Sequence, residues 1–138
     1  MAAVEHLLAI VEPTCESDAA LGLARSVVER GGQASIVVVM TKRARRDIDA
    51  FARHANLGIG DATEIALHHL TRSYEKRSGA GTTVSIAESS ILGRNLHRHL
   101  ASGTTAIAIP ARLATRRALR RLTSTTGLPV TVAPRQAA

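Results

Sequence analysis

A chain of 138 residues is expected to form one domain, long enough to bury roughly two thirds of the surface its unfolded form exposes. It is 45% apolar but has no Trp, one Tyr (Tyr74) and one Phe (Phe51), so Val, Ile, Leu and Ala must build the core, and the stacking platforms of single-stranded nucleic-acid binding are missing. The formal charge of +7 is unevenly spread, with five acids and two bases in residues 1–41 but six arginines and no acid in residues 111–138. That basic half is either a face for an anionic partner or the solvated surface of an arginine-rich protein, and the second account is the simpler.

Residues 6–11 form a nearly unbroken apolar strand that ends at Glu12-Pro13. A helix over 15–30 follows at once: Ala20, Leu23, Ala24, Val27 and Val28 recur at helical spacing, Glu16 and Asp18 suit its first turn, and Gly31-Gly32 ends it. Residues 34–40 are a second strand, buried on both faces. A short helix from Lys42 to Asn56 is expected to break at Gly58 and Gly60. A longer one then runs over 61–76, with Ile65, Leu67, His68 and Leu70 near its buried side, and 78–81 close it. The third strand, 82–87, alternates polar and apolar residues. A helix over 89–101 ends at Gly103, and the fourth strand, 105–109, stops at Pro110. The last helix covers 114–125 and ends at Gly127, and the fifth strand covers 129–133.

Strands one, two and four are apolar nearly throughout, as central parallel strands are, whereas three and five alternate as half-exposed edges do. With right-handed crossovers, the order that satisfies both is 3-2-1-4-5. The reading is therefore α/β: one domain over 1–138, a doubly wound five-stranded parallel sheet with helices on both faces. In such sheets ligands bind beyond the carboxyl ends of the strands, which marks the junction at Glu12.

The opening Leu7-Leu8-Ala9-Ile10-Val11-Glu12-Pro13-Thr14-Cys15-Glu16-Ser17-Asp18-Ala19-Ala20-Leu21 resembles, without a gap, the start of the universal stress protein family, I-L-V-A-V-D-G-S-E-E-S-E-R-A-L. Ile107-Ala108-Ile109 matches that family's fourth strand, and Gly127-Leu128-Pro129-Val130-Thr131-Val132 resembles its closing A-P-C-P-V-L-V-V. Many members bind ATP through an acid after strand one and a G-x2-G-x9-G-[ST] loop after strand four. Here the acid position is Glu12, and the adjoining glycine position is Pro13, which lacks an amide donor. The loop's first glycine falls on Pro110 and its closing pair near Arg116-Arg117. No glycine occurs from 111 to 126, and the loop is short by about seven residues. A shortened loop without glycine cannot readily bring several amides onto a triphosphate. ATP binding in the family manner is not expected, and no cofactor is assigned.

On the last helix, Ala114, Ala118, Leu119 and Leu122 fall on one face and Arg116, Arg117, Arg120 and Arg121 on the opposite one, with Arg112 just ahead. This is a grip for phosphates or an acidic protein, or an amphipathic helix with a solvated basic face. The absence of base-reading or aromatic neighbours weakens the nucleic-acid version. Lys42-Arg43-Ala44-Arg45-Arg46 belongs to the same carboxyl edge, although Asp47 and Asp49 can neutralise it along the helix. Cys15 excludes an internal disulfide and fits a reducing cytoplasm. Its place at a helix start would favour a reactive, redox-sensing thiolate, while Glu12 and Glu16 oppose it, so a bystander thiol is preferred. His97 and His99, like His68 and His69, lack the i, i+4 spacing that chelates a metal, and no metal site is expected. No Ser-His-Asp arrangement, P-loop or G-x-G-x-x-G follows any strand, so no catalytic residue is assigned. No apolar run nears the ~18 residues that span a bilayer. Glu5 ahead of the short apolar run argues against a secretory leader, and the Arg- and Ala-rich usage resembles that of a GC-rich bacterium.

The resemblance implies a cytoplasmic, stress-related regulatory protein that acts by binding rather than chemistry. It also implies a homodimer through the last strand, whose edge carries Val130 and Val132. The rival is a nucleotide- or anion-binding regulator in which Glu12, Arg112, Arg116 and Arg117, beside Pro13 and Pro110, replace the lost loop. A third reading is an accessory subunit that docks an acidic protein or an RNA-containing assembly through Arg116, Arg117, Arg120 and Arg121.

Overall fold

Runs of Val, Ile and Leu with no polar alternation have no face to offer water, and the structure places them at the centre of one sheet. The computed structural model describes residues 5–12, 18–78, 82–88 and 103–133. Its elements are β1 (His6–Val11), α1 (Asp18–Glu29), β2 (Gln33–Met40), α2 (Lys42–His54), α3 (Ile59–Ser78), β3 (Thr83–Glu88), β4 (Ala106–Pro110), a 3-10 turn (Ala111–Leu113), α4 (Arg116–Thr126) and β5 (Val130–Ala133). The helix expected over 89–101 lies outside the described residues, as do Pro13 and Cys15.

The sheet has five parallel strands in the order β3-β2-β1-β4-β5, as the apolar patterning anticipates. All six residues of β1 are buried. Successive strand residues point to opposite faces, which divides the core in two. Leu7, Ala9 and Val11 pack with Ile36 and Val38 beneath α1 and α3, against Ala20, Leu21, Ala24, Val27 and Tyr74. Leu8 and Ile10 pack with Val37, Val39, Ile107 and Ile109 on the other face, where Leu122 of α4 covers them. The edge strand β5 buries only Ala133 fully, and Val132 is 41% exposed.

Several boundaries differ from expectation, each for a local reason. At the end of α2, Asn56 rather than a glycine takes the left-handed conformation (φ 55°). Leu57 N–H donates to the Ala52 carbonyl at 2.8 Å and Asn56 N–H to the Arg53 carbonyl at 3.3 Å, the paired bonds of a Schellman stop. Gly60 then lies inside the first turn of α3 instead of breaking the chain. On α3 the buried stripe is Ala62 and Tyr74, with Ala66, Leu67 and Leu70 half-buried. Ile65 and His68, expected near the core, are exposed, because close packing against α2 selects the alanines one position round the helix. Pro110 does not halt β4 from outside; it is the last, buried residue of that strand, paired in register with Ala133. Ala114, expected in the last helix, belongs to the connection before it, whereas Gly127 ends α4 with φ 67° as expected. At the start of β2, a Cβ on Gly32 would stand 2.7 Å from both the Glu5 carbonyl oxygen and Val27 Cγ1, so only glycine lets α1 return beneath β1.

Candidate functional site

The carboxyl edge of the sheet gathers the ends of β1, β2 and β4, and at each a helix start or a charged residue follows. β1 ends at Val11, and Glu12 beyond it is only 1% exposed. Its carboxylate does not stand open in the crevice. Thr41 Oγ1, at the end of β2, donates to Glu12 Oε2 at 3.2 Å, and the same hydroxyl accepts the Ala44 N–H at 3.2 Å as the N-cap of α2. The backbone carbonyl of Glu12 accepts from the Tyr74 hydroxyl of α3 at 3.2 Å. The acid is thus tied at once to the positive end of α2 and to a buried phenol 62 positions away.

On the other side of β1, Pro110 closes β4 and the 3-10 turn carrying Arg112 follows directly. Two of the amides there are engaged locally. Ala114 N–H donates to the Ala111 carbonyl at 3.2 Å and Thr115 N–H to the Leu113 carbonyl at 3.0 Å. Thr115 caps α4 by accepting the Ala118 N–H at 3.1 Å.

Cations surround the edge. Lys42 and Arg43 are the first two residues of α2, Arg116 and Arg117 the first two of α4, and all four are exposed. Neither helix has an acid in its first turn. A helix N-terminus carries partial positive charge, so both helices begin with the charge that local stability disfavours. Arg120 and Arg121 extend the exposed face of α4, and none of its four arginines has an ion-pair partner among the described residues.

The chain superposes on universal stress protein UspA from Lactobacillus plantarum with a TM-score of 0.57, covering 96% of this chain and 99% of that one at 15% identity. The chain has the universal stress protein fold. The hypothetical proteins MJ0577 (TM-score 0.55, 10% identity, 99% of this chain and all of that one) and PH0823 (0.54, 11%, 97% and 99%) share it. No protein-family model matches the chain, and no curated protein matches it in sequence.

Within the universal stress protein fold, the residues singled out in the sequence fall into three groups. Glu12, Pro110, Arg116 and Arg117 meet at one edge, because β4 lies beside β1 in the sheet. Arg112 belongs to the turn between them. Arg120 and Arg121 continue along α4, while Pro13 and Cys15 lie outside the described residues. Asp49, expected with Asp47 to neutralise the cluster at 42–46, also pairs with Arg53 at 2.6 Å.

Thr41 and Tyr74, the two side chains that hold Glu12 and its backbone, were not among the sequence candidates. A threonine just before a run of helix formers is a cap signal, and a lone tyrosine four residues after Leu70 on a helix is a core signal. Either could have drawn notice, though not the partner. A third unanticipated contact joins His6 Nε2 and Ser35 Oγ at 3.0 Å, at the opposite, amino edge. Ser35 sits within the β2 ladder rather than on a sharp turn, so the contact reads as a satisfied polar pair in the sheet rather than a nucleophile.

Proposed function

We propose that the protein is a non-catalytic, stress-related regulator of the cytoplasm that works by docking an acidic protein partner on the arginine face of α4, and that it does not hold ATP in the universal stress protein manner. The observation that carries this reading is the placement of Arg116 and Arg117 in the first turn of α4, continued by Arg120 and Arg121. Four exposed cations stand without ion-pair partners among the described residues, two of them where the helix dipole opposes them. An arrangement that costs local stability is retained more readily when a partner's carboxylates or phosphates offset it. Against ATP stand the short, glycine-free connection from Pro110 to Arg116 and the inward commitment of Glu12 to Thr41.

Charge reversal of Arg116, Arg117, Arg120 and Arg121 to Glu is expected to abolish partner capture in a low-salt pull-down from the native cell extract. The unaltered protein should lose the same partners at high salt, where exposed charges are screened. Retention of every partner by the reversed protein would sink the docking reading. In thermal-shift assays, ATP, ADP, AMP and cyclic nucleotides at millimolar concentration are expected to leave the melting temperature unchanged. A rise of several degrees that disappears in Glu12→Ala would overturn the claim about ATP.

A second reading is favoured by one specific feature, the matching cation pairs Lys42-Arg43 and Arg116-Arg117 at the two helix starts that flank β1. There the protein is an anion- or nucleotide-binding regulator that replaces the amide loop with side chains. A thermal shift that depends on Arg116 and Arg117 but survives Glu12→Ala would select it.

Self-association through β5 also belongs to this proposal. β5 is an edge strand with Val132 41% exposed, and an open edge invites pairing with a second copy. Val132→Lys is expected to convert a dimer to a monomer in sedimentation while leaving the far-ultraviolet circular dichroism unchanged. A dimer that persists in the variant would place the interface elsewhere.

A further inference from the structure

The amino edge of the sheet, opposite the edge that carries Glu12, holds a cavity of about 370 Å³ whose lining includes His6, Val28, Gly32, Gln33, Ser35 and Thr83. The sheet register explains why polar groups collect there. Leu8 pairs with Ser35, and Ser35 with Thr83, across parallel strands. His6 comes two residues before Leu8, so His6, Ser35 and Thr83 rise from the same face of the sheet. Leu8 and Val37 belong to the core on that face. One step toward their amino ends, β1 and β2 exchange these aliphatic residues for a histidine and a serine, and the core gives way to a polar hollow.

The groups in this hollow have hydrogen bonds to offer. His6 is only 9% exposed, and its Nε2 stands 3.0 Å from Ser35 Oγ. The ring's other nitrogen, Nδ1, has no hydrogen-bond partner among the described residues, and neither has the hydroxyl of Thr83 or the side-chain amide of Gln33. In either tautomer of the imidazole, Nδ1 is left with a donor or an acceptor to satisfy. The His6–Ser35 pair is thus complete on one side and open on the other.

Charge and size narrow the ligand. Among the described residues, no Asp, Glu, Lys or Arg lines the cavity. α1 ends at this edge with no basic residue in its last turn, so the negative end of its dipole disfavours an anion. Arg30, just beyond that end, is already paired with Glu5 at 3.1 Å. Ligand cavities commonly enclose about 300–1,000 Å³, and one near the lower limit suits a single ring better than a nucleotide. Imidazole, hydroxyl and carboxamide groups offer both donors and acceptors without a fixed charge, and hydroxyls on neighbouring carbons answer them in kind. We infer that the amino-edge cavity is a binding site for a small neutral polyol the size of a sugar ring, whose hydroxyls meet His6 Nδ1, Ser35 Oγ and Thr83 Oγ1 while Val28 supplies an apolar wall. The site is independent of the proposed docking face, because Glu12 and the first turn of α4 belong to the opposite, carboxyl edge.

The test titrates the full chain, labelled with nitrogen-15 at histidine, with myo-inositol, D-ribose and D-glucose at millimolar concentrations. At least one of the three is expected to bind saturably and to shift the Nδ1 resonance of His6, which is assigned by its loss in His6→Phe. Affinity should fall at least tenfold in Ser35→Val, which removes the hydroxyl. The same loss is expected in Thr83→Phe, which fills the cavity from an exposed position and serves if Ser35→Val fails to fold. Reversal of the four arginines of α4 and Glu12→Ala should both leave polyol binding unchanged, so this site stands or falls apart from the docking of a partner. The proposal is overturned by any of four results: no saturable binding of any of the three polyols, binding that leaves His6 Nδ1 unmoved, full affinity in Thr83→Phe, or tighter binding of D-ribose 5-phosphate than of D-ribose.

Discussion

Replacing Tyr74 with alanine is expected to remove about 3–5 kcal/mol of folding stability, and replacing it with phenylalanine about 1–3 kcal/mol. Tyr74 is 3% exposed and packs within the larger core cluster, beside the side chains of β1 and α1. Truncation to alanine loses the ring's contacts and leaves a cavity that a sheet of short aliphatic residues has no large neighbour to fill. Phenylalanine keeps the ring and removes only the hydroxyl that donates to the Glu12 carbonyl at 3.2 Å, so its cost is that of a buried carbonyl losing that donor. Since a domain has only about 5–15 kcal/mol in hand, the alanine variant should sit near the edge of unfolding at ambient temperature. Urea titrations followed by circular dichroism would measure both. Equal costs for the two variants would show that the hydroxyl alone matters. A loss below about 1 kcal/mol for alanine would mean that the ring is not part of the core.

The same residue shows where reading the chain reaches its limit. Strand order was legible because burial on both faces demands unbroken apolar runs. Residues 6–11 and 34–40 have such runs, whereas 82–87 and 129–133 alternate, and that contrast alone separates centre from edge. The arginine face of α4 was legible for a similar reason, since residues 100° apart place Arg116, Arg117, Arg120 and Arg121 together whatever the helix packs against. Gly127 as a stop was legible because left-handed backbone favours glycine. Asn56 was not, because the nearby Gly58 and Gly60 offered a stronger signal for the same break. The buried side of α3 was misread because bulk was taken as the mark of the core, whereas closely approaching helices prefer Ala62 and Ala66 and push Ile65 outward. Glu12 was legible as the residue after a central strand, but the contacts that hold it were not. Thr41 is 29 positions away and Tyr74 is 62 positions away, and neither distance has a local signature. Only the sheet register, which sets β2 beside β1, brings Thr41 to the acid.

That long-range contact leads to a comparison that the molecule itself controls. Thr41 and Thr115 are N-caps of nearly identical geometry, with φ and ψ of −72° and 166° for the first and −71° and 158° for the second. Each accepts the amide three residues on, at 3.2 Å from Ala44 and at 3.1 Å from Ala118. They differ in one respect: Thr41 also donates to the buried Glu12 carboxylate, and no carboxylate among the described residues accepts from Thr115. Thr115→Ala is therefore expected to cost only the cap, about 1 kcal/mol. Thr41→Ala should cost the same cap and also strip a buried carboxylate of a charge-assisted donor, worth about 1.5–3 kcal/mol more, for a total of about 2.5–4 kcal/mol. In a Glu12→Leu background the second contribution has no acceptor to act on, so Thr41→Ala should fall to the level of Thr115→Ala. Chemical denaturation of the two single variants and of the cycle pairing Thr41→Ala with Glu12→Leu would decide it. Equal costs for Thr41→Ala and Thr115→Ala would mean that the contact at 3.2 Å contributes nothing.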